Sequence, residues 1–124
     1  MRSIPAGSRP TQPADSATFV LGATTQALIN RDDQLPLRVY RVAFEAGARM
    51  NWHRHDGPQL LLGLEGRCVV ENRAGDRVEL GAGDLVVVEA GEEHWHGALE
   101  RGSGAHLALN LGDATEWLER PPPA

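Results

Sequence analysis

The sequence predicts an all-β barrel or sandwich. Three observations carry this reading. Short runs rich in β-branched and aromatic residues are separated by breaks containing Gly, Asp and Asn. The breaks recur about every 8 to 12 residues, the spacing of antiparallel all-β folds. A helix signal appears only near the C-terminus.

The elements follow in order. The chain of 124 residues fits one domain and can bury a core without disulfides. Residues 1–16 carry three prolines with Gly, Ser and Gln, and read as a flexible or loosely draped tail. A single domain is expected over 17–124, with its core motifs between 37 and 111. TFVLGATTQALIN (18–30) reads as an edge strand followed by a loop, and RDDQLP (31–36) as a turn. RVYRVAF (38–44) is a strand, which EAGAR breaks. QLLLGLEG (59–66) and RCVVEN (67–72) are strands hinged near Gly66. RAGDR turns into VEL (78–80), and GAGD turns into DLVVVEA (84–90). GEEHWHGA leads into a further strand, and AHLALNL (105–111) is the last long one. Gly47, Gly66, Gly75, Gly83 and Gly91 stand at the breaks, where a sharp turn favours positive φ. Asp113 and Glu116 form a capping-box-like pair before Trp117 and Leu118, and Pro121 to Pro123 follow. One short C-terminal helix is therefore expected on the outside of the barrel.

Composition narrows the function. Charged residues are 23% and apolar residues 41%, an ordinary globular balance. A net charge of -5 offers no basic stripe and argues against a nucleic-acid partner. No run of about 20 apolar residues is present, so no membrane span is expected. The N-terminus lacks the apolar stretch of a secretory signal, and the cytoplasm is the default compartment. Cys68 is the single cysteine and reads as a small buried hydrophobe.

The chemistry lies in five histidines: His53, His55, His94, His96 and His106. Two H-x-H pairs sit in strand-like segments. In extended chain, residues i and i+2 share a face. His53 and His55 then point together, as do His94 and His96, while Arg54 and Trp95 point away. His106, Ala108 and Asn110 share a face of the last strand. Imidazole is the commonest transition-metal ligand near neutral pH, and two such pairs in one small domain point to a metal site. Trp95, on the opposite face, is left for sheet packing or a subunit contact.

These residues carry a resemblance. Gly47, ARMNW, His53-Arg54-His55, DGP, Gln59, LLLGLE, Gly66 follows the spacing of the first cupin motif, with Gln59 in place of its glutamate. Gly83, DLVVV, Glu89-Ala90-Gly91, EE, His94, WHG, Ala98 follows the second, with its proline and final asparagine replaced. The sequence therefore resembles a single-domain cupin, which implies an all-β double-stranded β-helix, or jelly-roll, barrel. It also implies that His53, His55, Gln59 and His94 are the metal ligands. A glutamine is neutral, so this set leaves the full dication charge in place and makes a stronger Lewis acid than a glutamate set.

A narrower resemblance follows. FEAGAR (44–49), WHRH (52–55), HWHGA (94–98) and HLALN (106–110) are similar to the small bacterial hydroxynitrile-lyase, or mandelonitrile-lyase-like, cupins. This implies one divalent metal ion, manganese first, with iron, zinc or nickel as options. It implies cleavage or formation of the carbon–carbon bond of a cyanohydrin, by Lewis-acid and general-base chemistry. His106 is the first candidate for the base and His96 the second, with Tyr40 a hydrogen-bond donor. By parity Tyr40 and Val42 share a face that narrows the pocket, and a bulky Tyr40 argues against large aryl substrates. Asn110 is a candidate substrate contact. Two other readings stay open: an Fe(II)-dependent dioxygenase and a non-catalytic small-molecule-binding cupin. The expected partners are a small-molecule substrate and further copies of the chain, as a homodimer or homotetramer.

Overall fold

The computed structural model describes residues 1–123. Thirteen strands run in chain order: β1 (Thr11–Pro13), β2 (Phe19–Val20), β3 (Ala23–Ile29), β4 (Arg38–Phe44), β5 (Arg49–Met50), β6 (His53–His55) and β7 (Gln59–Gly66), then β8 (Cys68–Asn72), β9 (Arg77–Leu80), β10 (Leu85–Val88), β11 (His94–Ala98), β12 (Gly104–Asn110) and β13 (Thr115–Trp117). One sheet has the order β1-β3-β4-β12-β7-β10. The other has the order β13-β6-β11-β5-β2, with β8 joined to β11 and β9 to β8. All pairings are antiparallel. The two sheets face each other as a jelly-roll barrel, as the turn spacing predicts. No helix is long and apolar enough to cross a membrane among the described residues.

The period-2 pattern decides what fills the barrel. On β4, Val42 and Phe44 point inward, and on β7 Leu61 does; β10 adds Val88 and β12 adds Ala108. These residues pack with Phe19, Met50, Cys68 and Leu80 in the main core. Cys68 is fully buried, and burial pushes its thiol up to about 12, which makes it an unreactive filler. The five glycines expected at turns all have positive φ.

A second cluster lies on the outer face of the seven-stranded sheet. Trp52, Val69, Trp95 and Leu99 pack there, and Leu118 covers them. Trp95 is fully buried, with its Nε1–H donating to Glu71 at 3.1 Å. It is thus a sheet-packing residue within its own chain and is closed to a subunit contact.

Two places differ from the sequence reading. The segment 18–30 forms β2 and β3, and β3 is interior, because Thr11–Pro13 of the N-terminal segment pairs along it. The expected C-terminal helix is absent, and β13 stands in its place. Thr115, Glu116 and Trp117 pair with His55, Arg54 and His53. The physical reason is competition for the backbone. Asp56 accepts from the backbone N–H of Asp113 and Ala114 at 2.8 and 3.0 Å, and Leu118 N–H donates to Trp52 O at 2.7 Å. A segment this short ahead of prolines gains little as an isolated helix, whereas an open strand edge offers ready partners. Glu116 binds Arg54 instead of closing a capping box.

Candidate metal centre

Strand parity brings the two H-x-H pairs to the barrel interior. His53 and His94 are direct neighbours across β6 and β11, with ring centroids 4.3 Å apart. All five histidines are buried, and so is Gln59. The donor nitrogens of His53, His94 and His96 lie within 4.8 Å of one another. Nitrogens bound to one ion at about 2.1 Å stand no more than about 4.2 Å apart, so these three stand slightly wider than a bound set. His55 sits one step away, its ring 5.1 Å from His53 and 5.5 Å from His94.

The tautomers follow from the hydrogen bonds. His53 Nδ1 faces the carbonyl of Asn51 at 2.7 Å, and His94 Nδ1 faces the carbonyl of Glu92 at 2.9 Å. A carbonyl only accepts, so both rings carry their proton on Nδ1 and a lone pair on Nε2. His55 Nδ1 pairs with Thr115 Oγ1 at 2.9 Å. The Nε2 atoms of His53, His55 and His96 are buried with no hydrogen-bond partner among the described residues. His94 Nε2 lies 3.0 Å from Gln59 Oε1, another acceptor. Gln59 gives its Nε2 to Asn110 Oδ1 at 2.7 Å, so its oxygen is turned inward.

The lone pairs on His53 Nε2 and His94 Nε2 and the Gln59 oxygen therefore converge with no proton between them. Buried acceptors in this arrangement are costly unless a cation satisfies them. Protonation is an unfavourable answer here. Burial, then the neighbouring His94, holds His53 well below the ordinary imidazole range. The same two causes lower His55 to about 4. Burial also lowers His94, and with His106 beside it holds His96 well below the usual range. Neutral imidazoles with a carboxamide oxygen suit a divalent transition ion, so the residues present fit the group.

Beside this cluster lies a cavity of about 310 Å³. Tyr40, Val42, His55, Gln59, His96 and Asn110 all line it, as the sequence suggested. His106 does not. It is fully buried behind His96, with its Nε2 2.8 Å from His96 Nδ1. A β-bulge between Ala105 and His106 sets its position opposite Gly63. The sequence reading missed Phe19, Thr25, Met50, Thr115 and Trp117 of the wall. Trp117 lies over His53, with centroids 4.7 Å apart. Threonine and tryptophan two apart at 115 and 117 are the strand signal that could have found them.

This barrel, with its inward histidine pairs, defines a class, and the chain belongs to the cupin family: residues 40–109 match the family described as Cupin domain. Among individual proteins, it is 38% identical over 81 residues to an (R)-mandelonitrile lyase of Granulicella tundricola, covering 63% of this chain and 62% of that protein. The chain thus matches less than two thirds of that relative's length. It is 30% identical to a cupin-like protein of Thermotoga maritima, with a TM-score of 0.82 over 87% of this chain and 84% of that one. A cupin-2 domain from Rhodospirillum rubrum, 17% identical, shares the fold with a TM-score of 0.76 over 94% of this chain and 80% of that one.

Proposed function

We propose that the protein is a metal-dependent lyase that breaks and forms the carbon–carbon bond of a small cyanohydrin. The observation that carries this reading is the set of buried, proton-free lone pairs beside a cavity that also holds an unpaired imidazole nitrogen. The similarity to a mandelonitrile lyase supports the reaction class. His53, His55, Gln59 and His94 would hold one divalent ion, manganese first, with iron, zinc and nickel as alternatives. When bound, the ion supplies Lewis acidity toward an oxygen of the substrate.

The chain's own residues handle the proton. His96 lines the cavity, and its Nε2 has no partner among the described residues. In this reading the His96 ring proton sits on Nδ1, facing His106 Nε2 at 2.8 Å, so that Nε2 presents a lone pair to the substrate. The hydroxyl proton passes to His96 Nε2. The electron pair of the carbon–carbon bond leaves with cyanide as the carbonyl forms. His96 then returns the proton to cyanide, giving an aldehyde and hydrogen cyanide. His106 accepts from His96 Nδ1–H, holds its tautomer and steadies the transient imidazolium. This moves His106, the first candidate for the base, one step back. The Tyr40 hydroxyl and the Asn110 amide are the polar groups of the wall, and Val42 gives it an apolar side.

Two measurements test the reading. Plasma mass spectrometry on tag-free protein should find near one equivalent of metal, lost in His94→Ala. His96→Ala should keep the metal and lose cyanohydrin cleavage by about a hundredfold or more. Loss of metal in His96→Ala would make His96 a ligand instead of the base. Absence of metal from reconstituted parent protein would leave a non-catalytic binding cupin as the better reading. The cluster of neutral imidazoles also suits Fe(II), which supports an oxygen-using enzyme as the second reading. Turnover that stops under anaerobic conditions would select it.

A further inference from the structure

Gln59 and Asn110 are direct partners across β7 and β12. Gln59 is 2% exposed, and its amide lies between Asn110 and the histidines. Its Nε2 donates to Asn110 Oδ1 at 2.7 Å, and its Oε1 lies 3.0 Å from His94 Nε2. The two ends of an amide are opposite in sense, one donor and one acceptor. The end held by Asn110 therefore decides which end faces His94.

The alternative is close at hand. The last torsion of glutamine is soft and roughly two-fold, so the amide turns over at little intrinsic cost. Turned over, its N–H would donate to the lone pair on His94 Nε2. That hydrogen bond would occupy His94 Nε2 and turn the Gln59 oxygen away from the histidines. A glutamate has no such problem, because both its ends are oxygens. Glutamine at this position needs a neighbour that accepts.

We propose that Asn110 is the positioning residue that accepts the Gln59 N–H and so keeps the Gln59 oxygen toward the histidines, available to a metal ion. This rests on the metal-centre reading above. It also gives Asn110 a role distinct from substrate contact, with its oxygen engaged by Gln59 and only its Nδ2 left for a ligand.

The test is a double-mutant cycle read by calorimetric titration of metal-stripped protein with Mn²⁺. Asn110→Leu should weaken Mn²⁺ binding by about 10- to 100-fold, the range for loss of a group that orients a ligand. Asn110→Asp, which can only accept when ionised, should bind at least as tightly as the parent. In a Gln59→Glu background, Asn110→Leu should change affinity by less than about threefold, because a carboxylate needs no orienting acceptor. Equal losses from Asn110→Leu in both backgrounds would mean a merely structural role and would overturn the proposal. So would Asn110→Leu binding as tightly as the parent. Thermal midpoints of the metal-stripped variants check that each is folded. If the parent binds no Mn²⁺, or His94→Ala binds it equally well, the metal centre itself falls and Asn110's role falls with it. A tight parent with an indifferent Asn110→Leu overturns the Asn110 role alone.

Discussion

His94 gives its one ring proton to a backbone carbonyl, and the neighbouring His53 does the same. What each then offers the interior is a lone pair, and burial keeps it so. A pH dependence follows. His55 and His106 titrate at about 4 in the fold, against about 6.5 for exposed imidazole. Between those values the unfolded chain binds protons that the folded chain refuses. Stability is therefore complete above about pH 6.5 and falls as the pH drops toward 4. Each such histidine costs up to about 1.4 kcal/mol per pH unit across that window. Urea midpoints of metal-stripped protein should drop clearly from pH 7.5 to pH 5, and a flat profile would contradict the neutral buried set. Tyr40 makes a second expectation. It occupies the cavity wall, so Tyr40→Ala should raise kcat/KM for aryl over aliphatic cyanohydrins by about tenfold. An unchanged ratio would show that another wall residue limits substrate size. Which histidines share a face was legible from the H-x-H spacing. Depth was not: parity gives a face, and it cannot tell that His96 meets the cavity while His106 lies behind it.

At the scale of strands, Gly97 shows how tightly the site is held. It pairs with Val69 on one side and Arg49 on the other. A Cβ there would run into the carbonyl of Ala48 and come within 2.7 Å of Arg49 Cα. Both neighbours are backbone and cannot rotate away. Gly97→Ala should cost about 2 kcal/mol and lower Tm by roughly 5–10 °C. It should also weaken metal binding, since β11 carries His94 and His96. A Tm within a degree of the parent would show that β5 moves aside freely. The long strands β4, β7 and β12 were readable because apolar residues recur over seven or eight positions between clear turn signals, with β-branched residues adding to the signal on β4. β13 was not, because it is only three residues long and the Asp113 and Glu116 pair around its start imitates a helix cap. Only the unpaired edge of β6, supplied by distant sequence, makes them a strand.

For the whole molecule, the six-stranded sheet has an outer face left uncovered among the described residues. Leu60, Leu62, Leu107 and Leu109 are half-buried there, and Leu85 and Val87 are 58% and 54% exposed. Register places them side by side on β10, β7 and β12. We propose that a second copy of the chain covers this face, the self-complementary arrangement of a two-fold dimer. Light scattering after gel filtration should give twice the chain mass, and L85E/V87E should reduce it to that of one chain. A monomeric parent would sink the proposal. The barrel class was legible from turn spacing, but this surface was not. The sequence reading left Trp95 for either sheet packing or a subunit contact, and the neighbours from Trp52 to Leu118 that decide for packing are brought over it only by the fold.

That same enclosure gives the protein a built-in optical reporter. Of its three tryptophans, Trp52 and Trp95 are shielded in the outer cluster, and Trp117 alone lies against a histidine of the candidate metal centre, tilted over His53 at 4.7 Å between centroids. Intrinsic emission should thus contain a steady component from the shielded pair and a responsive one from Trp117. A paramagnetic ion such as Mn²⁺ would quench the responsive part, so occupancy can be followed without label, tag or substrate.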